Sequence, residues 1–231
     1  MVATGQLSSN GQKTEIVDLT DPSKSCLLED TSFRWGSTGG LIGTTPIICG
    51  GSGGGVPGAY IYLNECILFG TSHVITMNSK RYYPTSVAIN TNKIFILGGK
   101  NENGYLKSTE YVTLDGTEVG PTLPEGFFGS CAVKFHETGD IYLIGGGTTE
   151  GNHATATYTK NVWFSNPSNE YHANFSQGPS LMNARYLHAC GTMSIGAKSI
   201  IVAAGGYAYM TKLSSVEILD PISSNQWVEG K

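Results

Sequence analysis

The chain has 231 residues, of which only 14 % are charged and 31 are glycine, and its formal net charge is −4. That balance gives no basic footprint for nucleic acid or an anionic membrane, and no apolar run reaches the length of a membrane span. Many glycines with few charges exclude long solvated helices and favour short strands joined by turns.

In chain order, Met1-Val2-Ala3-Thr4-Gly5 reads as the end of one strand, and residues 14–19 as the next. The first ten residues lack both a basic start and a long apolar stretch, so no signal peptide is expected in this chain. Beyond them a repeat takes over. Apolar runs at 46–49, 94–97, 141–144 and 200–203 each end in a glycine pair: Gly50-Gly51, Gly98-Gly99, Gly145-Gly146 and Gly205-Gly206. Successive pairs stand 48, 47 and 60 residues apart. Each run predicts a buried strand, and each pair a sharp exit with positive φ and close approach of a neighbouring chain.

Upstream of each run lies a second signal: Arg34-Trp35-Gly36-Ser37, Arg81-Tyr82-Tyr83-Pro84, Gly126-Phe127-Phe128-Gly129 and Arg185-Tyr186-Leu187-His188. These lead-in segments precede small-residue strands predicted at 38–42, 85–89, 130–134 and 189–193. Third strands are predicted at 60–63, 109–114, 162–164 and 215–219, with a fourth clearest at 73–76 and around Trp227. Four short strands every 45 to 50 residues or so describe one blade of a β-propeller.

These residues resemble the kelch repeat, most closely in Gly205-Gly206, the segment 214–221 and Trp227. Cys49-Gly50-Gly51 with Cys66 is similar to a narrower group of invertebrate kelch proteins, as are Arg81-Tyr82-Tyr83 and the segment 185–190. The resemblance implies an all-β, kelch-type propeller of about five four-stranded blades in a single domain, 1–231. The blades are expected near 1–32, 33–79, 80–124, 125–183 and 184–231, the first incomplete, in a fragment of a larger ring.

Strands that alternate in direction bring the lead-in loops and the loops between second and third strands to one rim. There the sequence gathers Arg34, Trp35, Arg81, Tyr82, Phe127, Phe128, Arg185 and Tyr186, types enriched at interface hot spots. Tyr105, Tyr207 and Tyr209 lie mid-loop without repeat-wide counterparts and join the candidate binding residues. A packing role is the other reading of the recurring residues, with Arg81 paired to Glu110 and Arg185 to Glu217. Two loops are longer than the repeat requires, 147–160 and a stretch within 165–180, and long loops on a rigid scaffold carry binding function.

The resemblance also implies that this rim holds a protein or peptide. A secreted propeller binding a glycan or matrix protein is one alternative, and the substrate-recognition part of a ubiquitin-ligase adaptor another. A copper oxidase of the galactose-oxidase kind is the enzyme alternative, but no set of two His and two Tyr marks it. No catalysis, cofactor or metal site is expected: the five histidines are scattered, and the glycine motif at 53–58 leads into a strand, not the helix an anion site needs. The location is expected to be extracellular or cytoplasmic.

Cys49 and Cys66 flank one connection and are candidates for a disulfide in an oxidising compartment. Asn174-Phe175-Ser176 is a glycosylation sequon pointing to the same compartment. Cys131 and Cys190 align with Gly39 and Ser86, and small size is expected to explain them without a bond.

Overall fold

Each apolar run ahead of a glycine pair forms the second strand of an antiparallel sheet. The computed structural model describes residues 34–53, 60–148, 157–165, 174–196 and 198–230, together with the backbone of strands Val2–Thr4, Lys13–Ile16 and Leu27–Asp30. Those last three form the first sheet. The second sheet has strands Thr38–Ile42, Thr45–Cys49, Glu65–Leu68 and Val74–Thr76, and the third Thr85–Asn90, Lys93–Leu97, Thr109–Thr113 and Gly116–Val119. The fourth comprises Cys131–Lys134, Ile141–Ile144, Val162–Ser165 and Ser176–Gln177; the fifth, Ala189–Ile195, Lys198–Ala204, Val216–Leu219 and Val228–Glu229. Strand order within each sheet is sequential, and among the described residues no sheet shares a strand with another.

The apolar runs of the third and fourth sheets are buried on both faces. Ile94 and Ile96 pack towards the second sheet, in a cluster with Ile42, Ile47, Cys49 and Leu68. Their neighbours Phe95 and Leu97 point the other way, to Ile141 and Leu143 of the fourth sheet. One step on, Tyr142 and Ile144 meet Ile201, Ala203, Leu219 and Trp227 of the fifth. A period of two thus divides the runs of the third and fourth sheets between two inter-sheet cores.

The glycine pairs are the joints. Gly98 and Gly99 have φ of 61° and 92°, and a Cβ on Gly98 would lie 2.6 Å from the Phe127 carbonyl oxygen of the next lead-in. The Gly99 amide donates to that same oxygen at 2.7 Å. Gly51 donates likewise to Arg81, and Gly146 to Arg185.

A second thread of hydrogen bonds joins the lead-in turns. Gly36, Tyr83, Gly129 and Leu187 all take positive φ, and the amides of Tyr83, Gly129 and Leu187 donate to the carbonyls of Gly36, Tyr83 and Gly129. This fixes the register of the repeat and corrects the sequence alignment by one residue in the fourth sheet. Phe127, not Gly126, stands where the other sheets have arginine.

The shift has a consequence for the cysteines. Cys131 is equivalent to Thr38 and Thr85, while Cys190 is equivalent to Ser86 and Ala132. At each junction the first of these positions meets the second of the next sheet: Thr38 Oγ1 lies 2.7 Å from Ser86 Oγ, the Ala132 amide donates to Thr85 Oγ1 at 3.0 Å, and Cys131 is disulfide-bonded to Cys190. The expectation of two unbonded small residues is therefore corrected. Aligned as equivalents they would not face each other; one step apart they do.

The third strand of the second sheet is also displaced, lying at Glu65–Leu68 and not at 60–63. Ile61–Tyr62 pairs instead with Ser52–Gly53 in a small hairpin of its own. The later strand puts Cys66 directly opposite Cys49, and a disulfide joins them with Cα atoms 4.0 Å apart. Equivalent hairpins project from the third sheet, Lys100–Asn101 with Gly104–Tyr105, and from the fifth, Tyr207–Ala208 with Thr211–Lys212.

Candidate functional site

The lead-in residues and the hairpins come together through single backbone bridges: Trp35 with Ser52, Tyr82 with Lys100, Phe128 with Gly147 and Tyr186 with Tyr207. Both kinds of loop therefore form one rim. Their side chains divide into two sets, one turned inward and one lying along the surface.

The arginines belong to the inward set, as the packing reading of Arg81 and Arg185 expects. Arg81 is fully buried and meets Glu110 at 2.8 Å, while its other guanidinium nitrogen donates to the carbonyls of Gly98 and Ser108. Glu110 also accepts the backbone amides of Asn78 and Ser79. Arg185 repeats the pattern with Glu217, the carbonyls of Gly205 and Ser215, and the amides of Met182 and Asn183. These charges satisfy one another inside the sheet and present nothing to a partner. In the fourth sheet Phe127 and Trp163 occupy the same two positions, so the ion pair is replaced by an apolar one. Arg34 differs: its Glu65 partner, at 2.9 Å, is half exposed.

Phe128, Tyr82 and Tyr186 are also buried, so they support the rim from beneath rather than offering a free face. They link the surface rings into one array. Trp35 packs with Tyr60 and Tyr82, and Tyr82 with Tyr60, Tyr62 and Tyr83. Farther along, Tyr105 stacks on Phe128 at 4.8 Å, Phe128 meets Tyr186, and Tyr186 meets Tyr158 and Tyr207. Tyr209 stands edge-on to Tyr158. Lys100 closes the gap between the two groups, its Nζ 5.5 Å from the Tyr82 ring centre and 5.7 Å from that of Phe128.

The outer members of the array are open to solvent. Trp35 and Tyr60 are exposed, and the apex of the last hairpin presents Tyr209 at 66 % and Met210 at 80 % exposure. Tyr209 also has φ of 56°, a strained backbone for an L residue. Tyr105 and Tyr207 are half-buried. Burial, reinforced by a hydrogen bond with Tyr186, pushes the Tyr158 phenol up to about 12, and burial raises Tyr82 as well. Those two phenols keep their protons at ordinary pH, and Lys100 is the cation at the middle of the array.

Sequence analysis did not single out Tyr60, Tyr62, Lys100, Tyr158 or Met210. Tyr60 and Tyr62 fall in the third strand expected at 60–63, while Lys100 follows the Gly98-Gly99 joint in the expected loop. The signal for Lys100 was its place: the residue after the glycine pair bridges the lead-in of its own sheet at Ser52, Lys100, Gly147 and Tyr207.

Asn174 is exposed, just ahead of the Ser176–Gln177 strand, with Phe175 turned into the core. The expected binding loop 147–160, the stretch within 165–180 and the glycine motif at 53–58 lie largely outside the described residues. Among the described residues no three His, Cys, Asp or Glu side chains converge as a metal site would require. Among the described residues no helix is long and apolar enough to cross a membrane. No protein-family model matches the chain, and no curated protein matches it.

Proposed function

We propose that the chain is a non-catalytic interaction module: a kelch-type arc of propeller blades whose aromatic rim holds a peptide or protein loop. The observation that carries this reading is the pair of ring groups joined through Lys100, running from Trp35 to Tyr209 and ending in an exposed Tyr-Met apex on a strained turn. Rigid aromatics contribute large contact area at low entropic cost, and a strained, exposed tyrosine is costly for folding alone. The four repeated sheets with glycine-pair joints support the blade reading, and the step from fold to binding is an analogy with kelch proteins. Selection of binders from a random-peptide display library, followed by Tyr105→Ala, Tyr207→Ala and Tyr209→Ala, tests it. The selected peptides should lose binding to these variants; unchanged binding to all three would move the site elsewhere.

Two disulfides favour an oxidising compartment over the cytosol, and exposed Asn174 agrees with it. This observation supports the second reading, a secreted propeller whose partner is a matrix protein or glycan, over a ubiquitin-ligase adaptor. Enzymatic deglycosylation of protein expressed through a secretory pathway should lower its mass. No mass change, together with four free thiols at Cys49, Cys66, Cys131 and Cys190, would refute that reading.

A further inference from the structure

Beside the Lys100 hairpin lies a cleft of about 300 Å³, lined by Tyr62, Lys100, Asn101, Glu102, Asn103 and Tyr105. Lys100 is its cation. The ammonium is held over the faces of Tyr82 and Phe128 and has no carboxylate within salt-bridge distance among the described residues. The nearby acid, Glu102, reaches towards Lys80 instead, at 3.6 Å. Lys93 and Lys198, by contrast, meet carboxylates, Glu118 at 2.9 Å and Asp220 at 3.3 Å. Lys100 is half-buried, and its partial loss of water lowers its affinity for protons. A half-desolvated ammonium with only ring faces for company gains more from an incoming anion than a solvated one does.

We infer that this cleft receives a carboxylate of the bound partner, an Asp or Glu side chain, with the Lys100 ammonium as the charge and the Tyr62 hydroxyl as a second donor. The inference rests on the rim being a binding surface. Tyr62 suits that role because burial, Tyr60 and Glu102 all raise its phenol, so it keeps its proton. The setting favours a peptide over a sugar acid. Ile61 and Met210 stand exposed beside the rings, adding apolar contacts that a polyhydroxylated chain would leave poorly used.

The test is peptide-display selection on the 231-residue chain, with every selected peptide re-measured on Lys100→Met, Lys100→Arg and Tyr209→Ala. Lys100→Met keeps the stem between the two rings while removing the charge; unfolding curves should match the parent's. Selected peptides should carry an acidic residue near an aromatic or aliphatic one, bind Lys100→Met about tenfold or more weakly, and recover on Lys100→Arg. Peptides that need Tyr209 but neither an acid nor Lys100 would overturn the cleft and leave the rim standing. Peptides indifferent to both variants, or the absence of any selected peptide, would count against rim and cleft together. A separate arm titrates oligogalacturonate. If it binds in a Lys100-dependent way and acidic peptides do not, the carboxylate is a sugar acid and the peptide assignment is wrong.

Discussion

The Arg81 guanidinium meets the Glu110 carboxylate at 2.8 Å with both side chains buried, and Arg185 meets Glu217 in the same way two sheets later. Each carboxylate also accepts two backbone amides of the segment that precedes its arginine. The pair therefore ties a lead-in segment to the third strand of its own sheet. Removing one partner leaves the other charged and buried, which typically costs about 3–5 kcal/mol. Arg81→Met or Glu110→Leu alone should each lower unfolding stability by that order in urea titrations. The double variant should recover part of the loss, as the natural Phe127 and Trp163 pair suggests. A double variant worse than the sum of the singles would contradict this account.

His188 gives a pH dependence with a definite sign. Neither ring nitrogen has a hydrogen-bond partner among the described residues, and the ring fills space beside Gly145 and Gly206. Burial, with Arg185 nearby, lowers its pKa from 6.5 to about 3. Between those values the unfolded chain binds the proton and the folded chain does not, so stability falls as pH drops from 6.5. The loss is on the order of 3 kcal/mol by pH 4. His188→Leu should remove that slope while leaving neutral-pH stability nearly unchanged. Parallel pH profiles for the two proteins would show that His188 titrates normally in the fold.

The Cys131–Cys190 bond joins neighbouring sheets across 59 residues, and Cys49–Cys66 closes a span of 17 within one. Loop closure assigns about 4 kcal/mol to the longer and about 3 kcal/mol to the shorter. Peptide mapping without reductant should find both linked pairs. Cys131→Ser with Cys190→Ser should destabilise the chain more than Cys49→Ser with Cys66→Ser. The reverse order would mean that the junction between the fourth and fifth sheets is already held by its packing.

How much of this was legible can be judged from particular residues. The glycine pairs and apolar runs sufficed for the sheets, because a strand buried on both faces must be apolar throughout and a joint that close admits no side chain. The Arg81–Glu110 and Arg185–Glu217 pairs were legible too, since a lead-in arginine and a third-strand glutamate recur in both repeats, 29 and 32 residues apart. The register of Phe127 was not. A phenylalanine in the arginine's place broke the pattern by which the segment was aligned, and the one-residue error hid the Cys131–Cys190 bond. The hairpin at Ser52–Gly53 and Ile61–Tyr62 was missed because Tyr-Ile-Tyr has strand propensity wherever it pairs. Lys100 between two rings joins the lead-in of its own sheet to that of the next, with no local signal beyond its position after Gly99.

The rim reading is tested most directly by comparing replacements at its two ends with one on the far side. Trp35→Ala and Tyr209→Ala alter the exposed ends of the ring array, while Leu114→Ala alters an exposed residue beyond the third strand of the third sheet. The measurement is the dissociation constant of one display-selected peptide for the parent and the three variants. Loss of about 2 kcal/mol at Trp35 or Tyr209, with Leu114→Ala unchanged, is the expected result for hot-spot aromatics. Equal affinities for the parent, Trp35→Ala and Tyr209→Ala, or a loss confined to Leu114→Ala, would contradict it.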